Sequence, residues 1–184
     1  MDKIRVFALG GLDENGKNMH VVEINDNIFV IECGVLFPDK TTPGIDYIIC
    51  NYDYLIENKN KVRAYILLHG HDDEVGALAY VYKDVPAPIY CSEATKENFI
   101  KFSKHVNRLQ EFDFRVIKPT STFIISGITF RFFHTCHNIA DSSGVAIETS
   151  YGNIIYTGDY IIENNGDITI TYYFGVDEEV KVPM

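Results

Sequence analysis

Six consecutive residues, His69-Gly70-His71-Asp72-Asp73-Glu74, hold the densest chemistry in the chain, because every one except Gly70 is ionisable. They follow an apolar run at residues 62–68 that has the length of a buried strand. Two imidazoles two residues apart, then a carboxylate two further on, converge on one point only if the backbone is extended; on a helix they point apart. Gly70 lets such a loop bend without a clashing side chain. Imidazole and carboxylate together suit zinc or manganese. The plainer alternative is a solvated polar loop, but this density of ionisable groups directly after a core strand favours a metal site. Two later segments supply further ligand types. The run Arg131-Phe132-Phe133-His134-Thr135-Cys136-His137 carries a strand into a polar loop, and Ile154-Ile155-Tyr156-Thr157-Gly158-Asp159 does the same. Alone, each would read as a structural His or an ordinary turn. With the first loop they complete a set of three His and two Asp: His69, His71, His137, Asp73 and Asp159.

Each of these groups must be held by the element before it. Short apolar runs at residues 5–9, 20–24 and 28–33 read as strands, the last two joined through Asn25-Asp26-Asn27 as a hairpin. Residues 45–57 place apolar side chains at helical spacing, and 75–82 is a second helix candidate. Residues 87–91 read as a strand, after which Ser92 caps a helix running to about residue 106. From residue 114 onward the pattern is all strand: 114–117, 123–125, 128–133, 144–148 and 154–157, punctuated by turn residues. A last strand candidate at 168–174 precedes an acidic, poorly patterned stretch at 175–184. Mixed elements with a strand-rich second half predict a layered α/β or α+β domain in which helices cover a sheet.

The length of 184 residues fits one domain, and 46% apolar residues suffice for a core. A formal charge of −10 argues against free-standing binding to a phosphate backbone, although bound cations change the local sign. Cys33, Cys50, Cys91 and Cys136 form no C-x-x-C pair and read as reduced core thiols. No signal peptide and no apolar run of roughly 20 residues is present, so the expected setting is cytoplasmic, without a membrane.

The order H-x-H-x-D, then a distant His, then a distant Gly-Asp, each after a strand, resembles the metallo-β-lactamase superfamily. The flanks resemble the bacterial ribonuclease J family within it: Leu9-Gly10-Gly11 with Gly16-Lys17-Asn18-Met19, Gly34-Val35-Leu36-Phe37-Pro38, Gly44-Ile45-Asp46, Tyr54-Leu55-Ile56-Glu57-Asn58-Lys59, His137-Asn138-Ile139-Ala140-Asp141-Ser142, and Thr157-Gly158-Asp159-Tyr160. The resemblance runs from about Arg5 to Asp159. It implies a metallo-β-lactamase-like αββα sandwich of which residues 1–184 form the amino-terminal portion. It also implies that His69, His71 and His137 hold a first metal, that Asp159 bridges two metals, and that Asp73 holds the second and faces the attacking water. Asp73, His137 and Asp159 would then serve phosphodiester hydrolysis in RNA processing or decay, with one or two zinc ions, or manganese, as cofactor.

This sequence departs from the family pattern at several points. Glu74 stands where H-x-H-x-D-H would have its last His, and Glu32 stands where the family has an Asp that supports the His loop. Asp13 and Asn15 replace residues of the usual Gly-Glu-Ile-Gly loop. No β-CASP domain, returning half of the hydrolase fold or carboxy-terminal domain is recognisable, and His20, His105 and His134 offer no replacement for the His such a segment brings. Metal is therefore expected chiefly at the three-His position, and weakly or not at all at the second. Three readings follow: a metal-dependent ribonuclease or its hydrolase module, acting on RNA; a catalytically weak paralogue that partners an active ribonuclease J-type subunit in a homo- or hetero-oligomer; and a small-molecule metallo-hydrolase. Glu74 and Glu32 favour the second, the intact His69, His71, His137 and Asp159 favour the first, and the flanking sequence argues against the third.

Overall fold

The computed structural model describes residues 1–161 and two short paired strands, Tyr172–Phe174 and Glu178–Val180. The first sheet has six strands in sequence order: β1 (Ile4–Gly10), β2 (Met19–Ile24), β3 (Asn27–Ile31), β4 (Val62–Ile66), β5 (Ile89–Cys91) and β6 (Phe114–Val116). Hairpins make β1, β2 and β3 antiparallel, whereas β3 to β6 run parallel through crossovers. The second sheet is an antiparallel meander of β7 (Thr122–Ile125), β8 (Ile128–His134), β9 (Ser143–Thr149) and β10 (Gly152–Tyr156).

The continuous apolar runs of β2, β3 and β4 have a simple cause: these strands are buried on both faces. Val21, Ile28, Val30 and Tyr65 face one core, packed with Leu55, Leu78, Val81, Phe99 and Phe102 of the helical layer. Val22, Phe29, Ile31, Ala64 and Ile66 face the other, packed with Phe130, Phe132, Val145 and Ile147 of the second sheet. Phe29 and Phe130 meet edge to face across the sheets at 4.9 Å. The described layers are thus helix, sheet, sheet.

Among the described residues four α-helices make the outer layer: α1 (Asp53–Glu57), α2 (Asp72–Val75), α3 (Leu78–Val81) and α4 (Glu93–His105). The helix expected over residues 45–57 is corrected to α1 alone. Leu36 and Ile48 exchange backbone hydrogen bonds of 2.8 and 2.9 Å, which holds the first part extended. Its apolar residues Tyr47, Ile49, Tyr52 and Tyr54 still pack on the core, so burial was legible where backbone conformation was not. The helix expected over 75–82 is reduced to α3, while α2 begins three residues earlier, at Asp72, inside the stretch read as a polar loop, and ends at Val75. Of the four cysteines, Cys33, Cys50 and Cys91 are buried, but Cys136 is exposed in a loop, contrary to the expectation of a core thiol. The strand candidate at 168–174 overlaps Tyr172–Phe174, its earlier residues lie outside the described ones, and the acidic stretch after it contains the strand Glu178–Val180. Among the described residues no helix is long and apolar enough to cross a membrane.

Candidate metal centre

β4 lies inside its sheet between β3 and β5, and the chain leaving it passes through Leu67 and Leu68 to His69. The Ser143 amide and hydroxyl, from the start of β9, both donate to the Leu68 carbonyl at 3.0 Å, tying the two sheets together one residue before His69. The Glu32 carboxylate braces the same point from the end of β3, since the Leu68 amide donates to its Oε1 at 3.0 Å. Glu32 itself sits at φ +58, a left-handed conformation uncommon for a residue other than Gly, and it is buried.

The loop is short because α2 begins at Asp72, directly after His71 in extended conformation. The carbonyls of α2 are claimed from outside. Val35 N donates to Asp72 O (3.1 Å), Asn18 N to Asp73 O (3.2 Å) and Cys33 N to Glu74 O (2.6 Å). Gly34 permits this approach, since a Cβ there would lie 1.4 Å from the Asp73 carbonyl oxygen. Gly70 has a similar role: a Cβ would come within 3.0 Å of Asn98 on α4, so close approach rather than loop bending explains that glycine.

His137 and Asp159 arrive from the second sheet. The loop after β8 is closed by Thr135 N donating to Ser142 O, and Ile161 N donates to Cys136 O at 2.7 Å, drawing the chain after β10 beside His137. Gly158 turns that chain with φ +59. The three imidazoles form an equilateral cluster, each pair of ring centroids 4.9 Å apart. His71 Nδ1 and His137 Nε2 are 3.2 Å apart. Two nitrogens sharing one tetrahedral zinc at about 2.0–2.1 Å lie about 3.3 Å apart, so the spacing fits. Asp159 Oδ2 stands 3.9 Å from His69 Nε2 and 3.8 Å from His137 Nε2.

Both ring nitrogens of His69, and Nδ1 of His137, are buried without a hydrogen-bond partner. Burial costs such atoms their hydration, and a cation would satisfy the inward-facing ones. Burial also pushes the His69 imidazolium down to about 4, against the opposing pull of Asp159, so the ring is neutral and its lone pair free. The donor set therefore fits a divalent metal.

A second group of ligand atoms, from His69, Glu74 and Asp159, also lies within 4.8 Å of one another. Asp73 joins neither such group among the described residues; it lines a cleft beside His71 instead. Glu74 is buried, accepts from the Asn18 side-chain amide, and is pushed up to about 8, first by burial and then by the Asp159 and Asp73 charges. Glu32 is likewise raised well above the usual carboxylate range by burial first and by Glu74 second, against the Leu68 amide. Asn18, Gly34 and Ser143 were not singled out as parts of the site by spacing. Asn18 and Gly34 do stand in motif stretches, but Ser143 carries no sequence signal, since its role is a contact with a residue 75 positions away.

The architecture is that of a metallo-β-lactamase-fold protein. YhfI from Bacillus subtilis, a metallo-β-lactamase fold protein, superimposes with a TM-score of 0.57 at 19% identity, covering 85% of this chain and 62% of its own. A protein of unknown function from Enterococcus faecalis V583 gives 0.64 at 17% identity, covering 87% of this chain and 44% of that one. No protein-family model matches the sequence. Within that fold, the chain is a homologue of the ribonuclease J 2 proteins. It is 42% identical over 161 residues to ribonuclease J 2 of Streptococcus pyogenes, covering 87% of this chain and 29% of the relative. It is 39% identical over 161 residues to ribonuclease J 2 of Staphylococcus saprophyticus, covering 85% and 28%. The chain thus spans less than a third of the length of these relatives.

Proposed function

We propose that this chain is the metal-binding hydrolase part of a ribonuclease J-type protein, with residues 1–184 forming a metallo-β-lactamase-like domain that acts on phosphodiester bonds of RNA. The observation that carries this reading is the cluster of three imidazoles, His69, His71 and His137, closed at 4.9 Å between rings and backed by Asp159. Homology to ribonuclease J 2 supplies the substrate class. Zinc is the metal this donor set favours, with manganese the alternative. Bound there, a divalent cation would activate water at neutral pH and offset charge gathering on phosphate. His69, His71 and His137 would hold the ion, and Asp159, within 4 Å of two of those rings, would complete its shell. Asp73, which lines the open cleft, would accept a proton from an incoming water. Glu32 braces the loop through Leu68. The three buried free thiols support a reducing, cytoplasmic setting.

A second reading, a weakly active subunit paired with its own copy or another ribonuclease J-type chain, is favoured by one observation. Glu74, standing where the family pattern has a His, is buried and has its carboxylate engaged by the Asn18 side-chain amide. The test loads the purified chain with zinc or manganese and reads bound metal per chain together with chelator-sensitive hydrolysis of a small activated phosphodiester, which needs no grip on a polymer. About one tightly held metal and measurable turnover, both lost in His71→Ala, are expected. Loss of a first-row ligand should exceed the 10–100-fold affinity cost typical of residues that merely orient ligands. Full metal retention in His71→Ala would overturn the assignment.

A further inference from the structure

The metal centre opens onto a cleft of about 570 Å³, bordered by His71, Asp73, Phe37, Asn98, Lys101 and His105. A second cavity of about 400 Å³ adjoins it, sharing Phe37 and His105 and continuing to Tyr47, Tyr80 and Asn107. We propose that these two cavities form one track for single-stranded RNA, leading from the metal centre across Phe37 and the exposed side of α4 through Lys101 and His105 to Tyr80 and Arg108. The proposal rests on the ribonuclease reading and names where that substrate lies.

Three features support the track. Phe37 lies at the mouth of the cleft with 54% of its surface exposed. It is nonetheless held: its ring meets Tyr47 edge to face at 5.8 Å, and Tyr47 meets the buried Phe102 at 5.2 Å. A ring fixed by its neighbours and open on its remaining surface is a stacking platform for a base, and stacking accepts any base. At the far end, the Arg108 guanidinium lies over the Tyr80 ring at 5.1 Å, a preset cation beside a second aromatic surface. Between them, Lys101 supplies positive charge in a chain whose net charge is −10. Asp72 and Asp73 sit at the metal end, where a bound cation would invert the local sign, and Asp46 stands at the distal cavity.

The test is photo-crosslinking of the zinc-loaded chain to a short single-stranded oligoribonucleotide containing 4-thiouridine, with crosslinked peptides mapped by mass spectrometry and affinity read in parallel by NMR titration. Crosslinks to peptides containing Phe37, Tyr80 or His105 are expected. Phe37→Ala and Lys101→Glu should each weaken binding by about fivefold or more, Lys101→Glu also flattening the salt dependence. Lys59→Glu, in the 3-10 turn before the opposite end of β4, should leave binding unchanged. Crosslinks confined to other surfaces, or unaltered affinity in both groove variants, overturn the track. Metal-dependent cleavage retained alongside such crosslinks shows that the hydrolase reading stands while the track fails. Crosslinks in the groove without any metal-dependent cleavage show the reverse. No saturable binding overturns the track outright.

Discussion

At the residue scale, the site combines a basic group that burial neutralises with acidic groups that burial also neutralises. His69 is held down to about 4 and Glu74 up to about 8, each by burial first. The two act oppositely on stability. Between about 4 and its ordinary 6.5, His69 binds fewer protons folded than unfolded, so its contribution falls as pH drops. Between its ordinary 4.5 and about 8, Glu74 keeps a proton that the unfolded chain releases, so its contribution falls as pH rises. They offset one another below about 6.5, leaving Glu74, aided by Glu32 in the same direction, between 6.5 and 8. The metal-free protein should therefore lose stability across that interval, about 2 kcal/mol from Glu74 alone, a drop of several degrees in Tm. Glu74→Gln, which can still accept from Asn18, should remove Glu74's share of the slope and leave that of Glu32. Calorimetry of the chelated protein at pH 6.5 and 8 checks this, and an unchanged slope in Glu74→Gln would refute it.

At the element scale, α2 and α4 are positioned by different devices. α4 begins with Ser92, whose hydroxyl accepts from the Thr95 amide at 3.1 Å while donating to Thr95 Oγ1 at 3.0 Å. Ser92→Ala leaves a buried helix amide unmet and should cost about 1 kcal/mol, read as a lower urea midpoint at unchanged slope. α2 is too short to persist by its own hydrogen bonds; the three amides of Asn18, Cys33 and Val35 hold it in place. That contact depends on Gly34, where an added Cβ meets backbone that no rotamer change can move. Gly34→Ala should destabilise by about 3 kcal/mol or more and weaken metal binding by displacing His71 and the acidic turn after it. Wild-type metal affinity in a folded Gly34→Ala protein would show that α2 does not set the ligand geometry.

At the scale of the whole molecule, the imbalance of charge governs contact with a polymer. With 26 acidic and 16 basic side chains, the chain as a whole carries the charge sign that opposes a phosphate backbone. This chain alone should therefore degrade RNA slowly even when its metal centre is filled. Glu74→His should not rescue it, because a repaired ligand supplies chemistry without the positioning that lowers the barrier. Turnover of a long RNA by both proteins, with zinc or manganese, measures this. Chelator-sensitive RNA cleavage by the unmodified chain at rates matching its turnover of a small phosphodiester would show that grip is not limiting.

Much of this architecture was written locally. Apolar runs bounded by turn residues marked nearly every strand, because burial leaves its imprint on adjacent residues. Ser92 marked the start of α4 because a cap is satisfied within three residues. The ligand-type residues stood out because each follows an apolar strand directly, a local feature of order and spacing. Tertiary structure alone decided the rest. Residues 45–52 kept helical spacing yet form no helix, since Ile48 found a backbone partner in Leu36 rather than within its own turn. Glu74 and Asp73 are neighbours in sequence, but the turn of α2 sends Glu74 inward to His69 and Asp159 and leaves Asp73 at the cleft. His105 looked remote at the end of a helix, and the packing of α4 beside Gly70 brought it to the wall of the site. These placements depend on contacts between residues tens of positions apart, and local spacing carries no record of which distant surface a side chain will face.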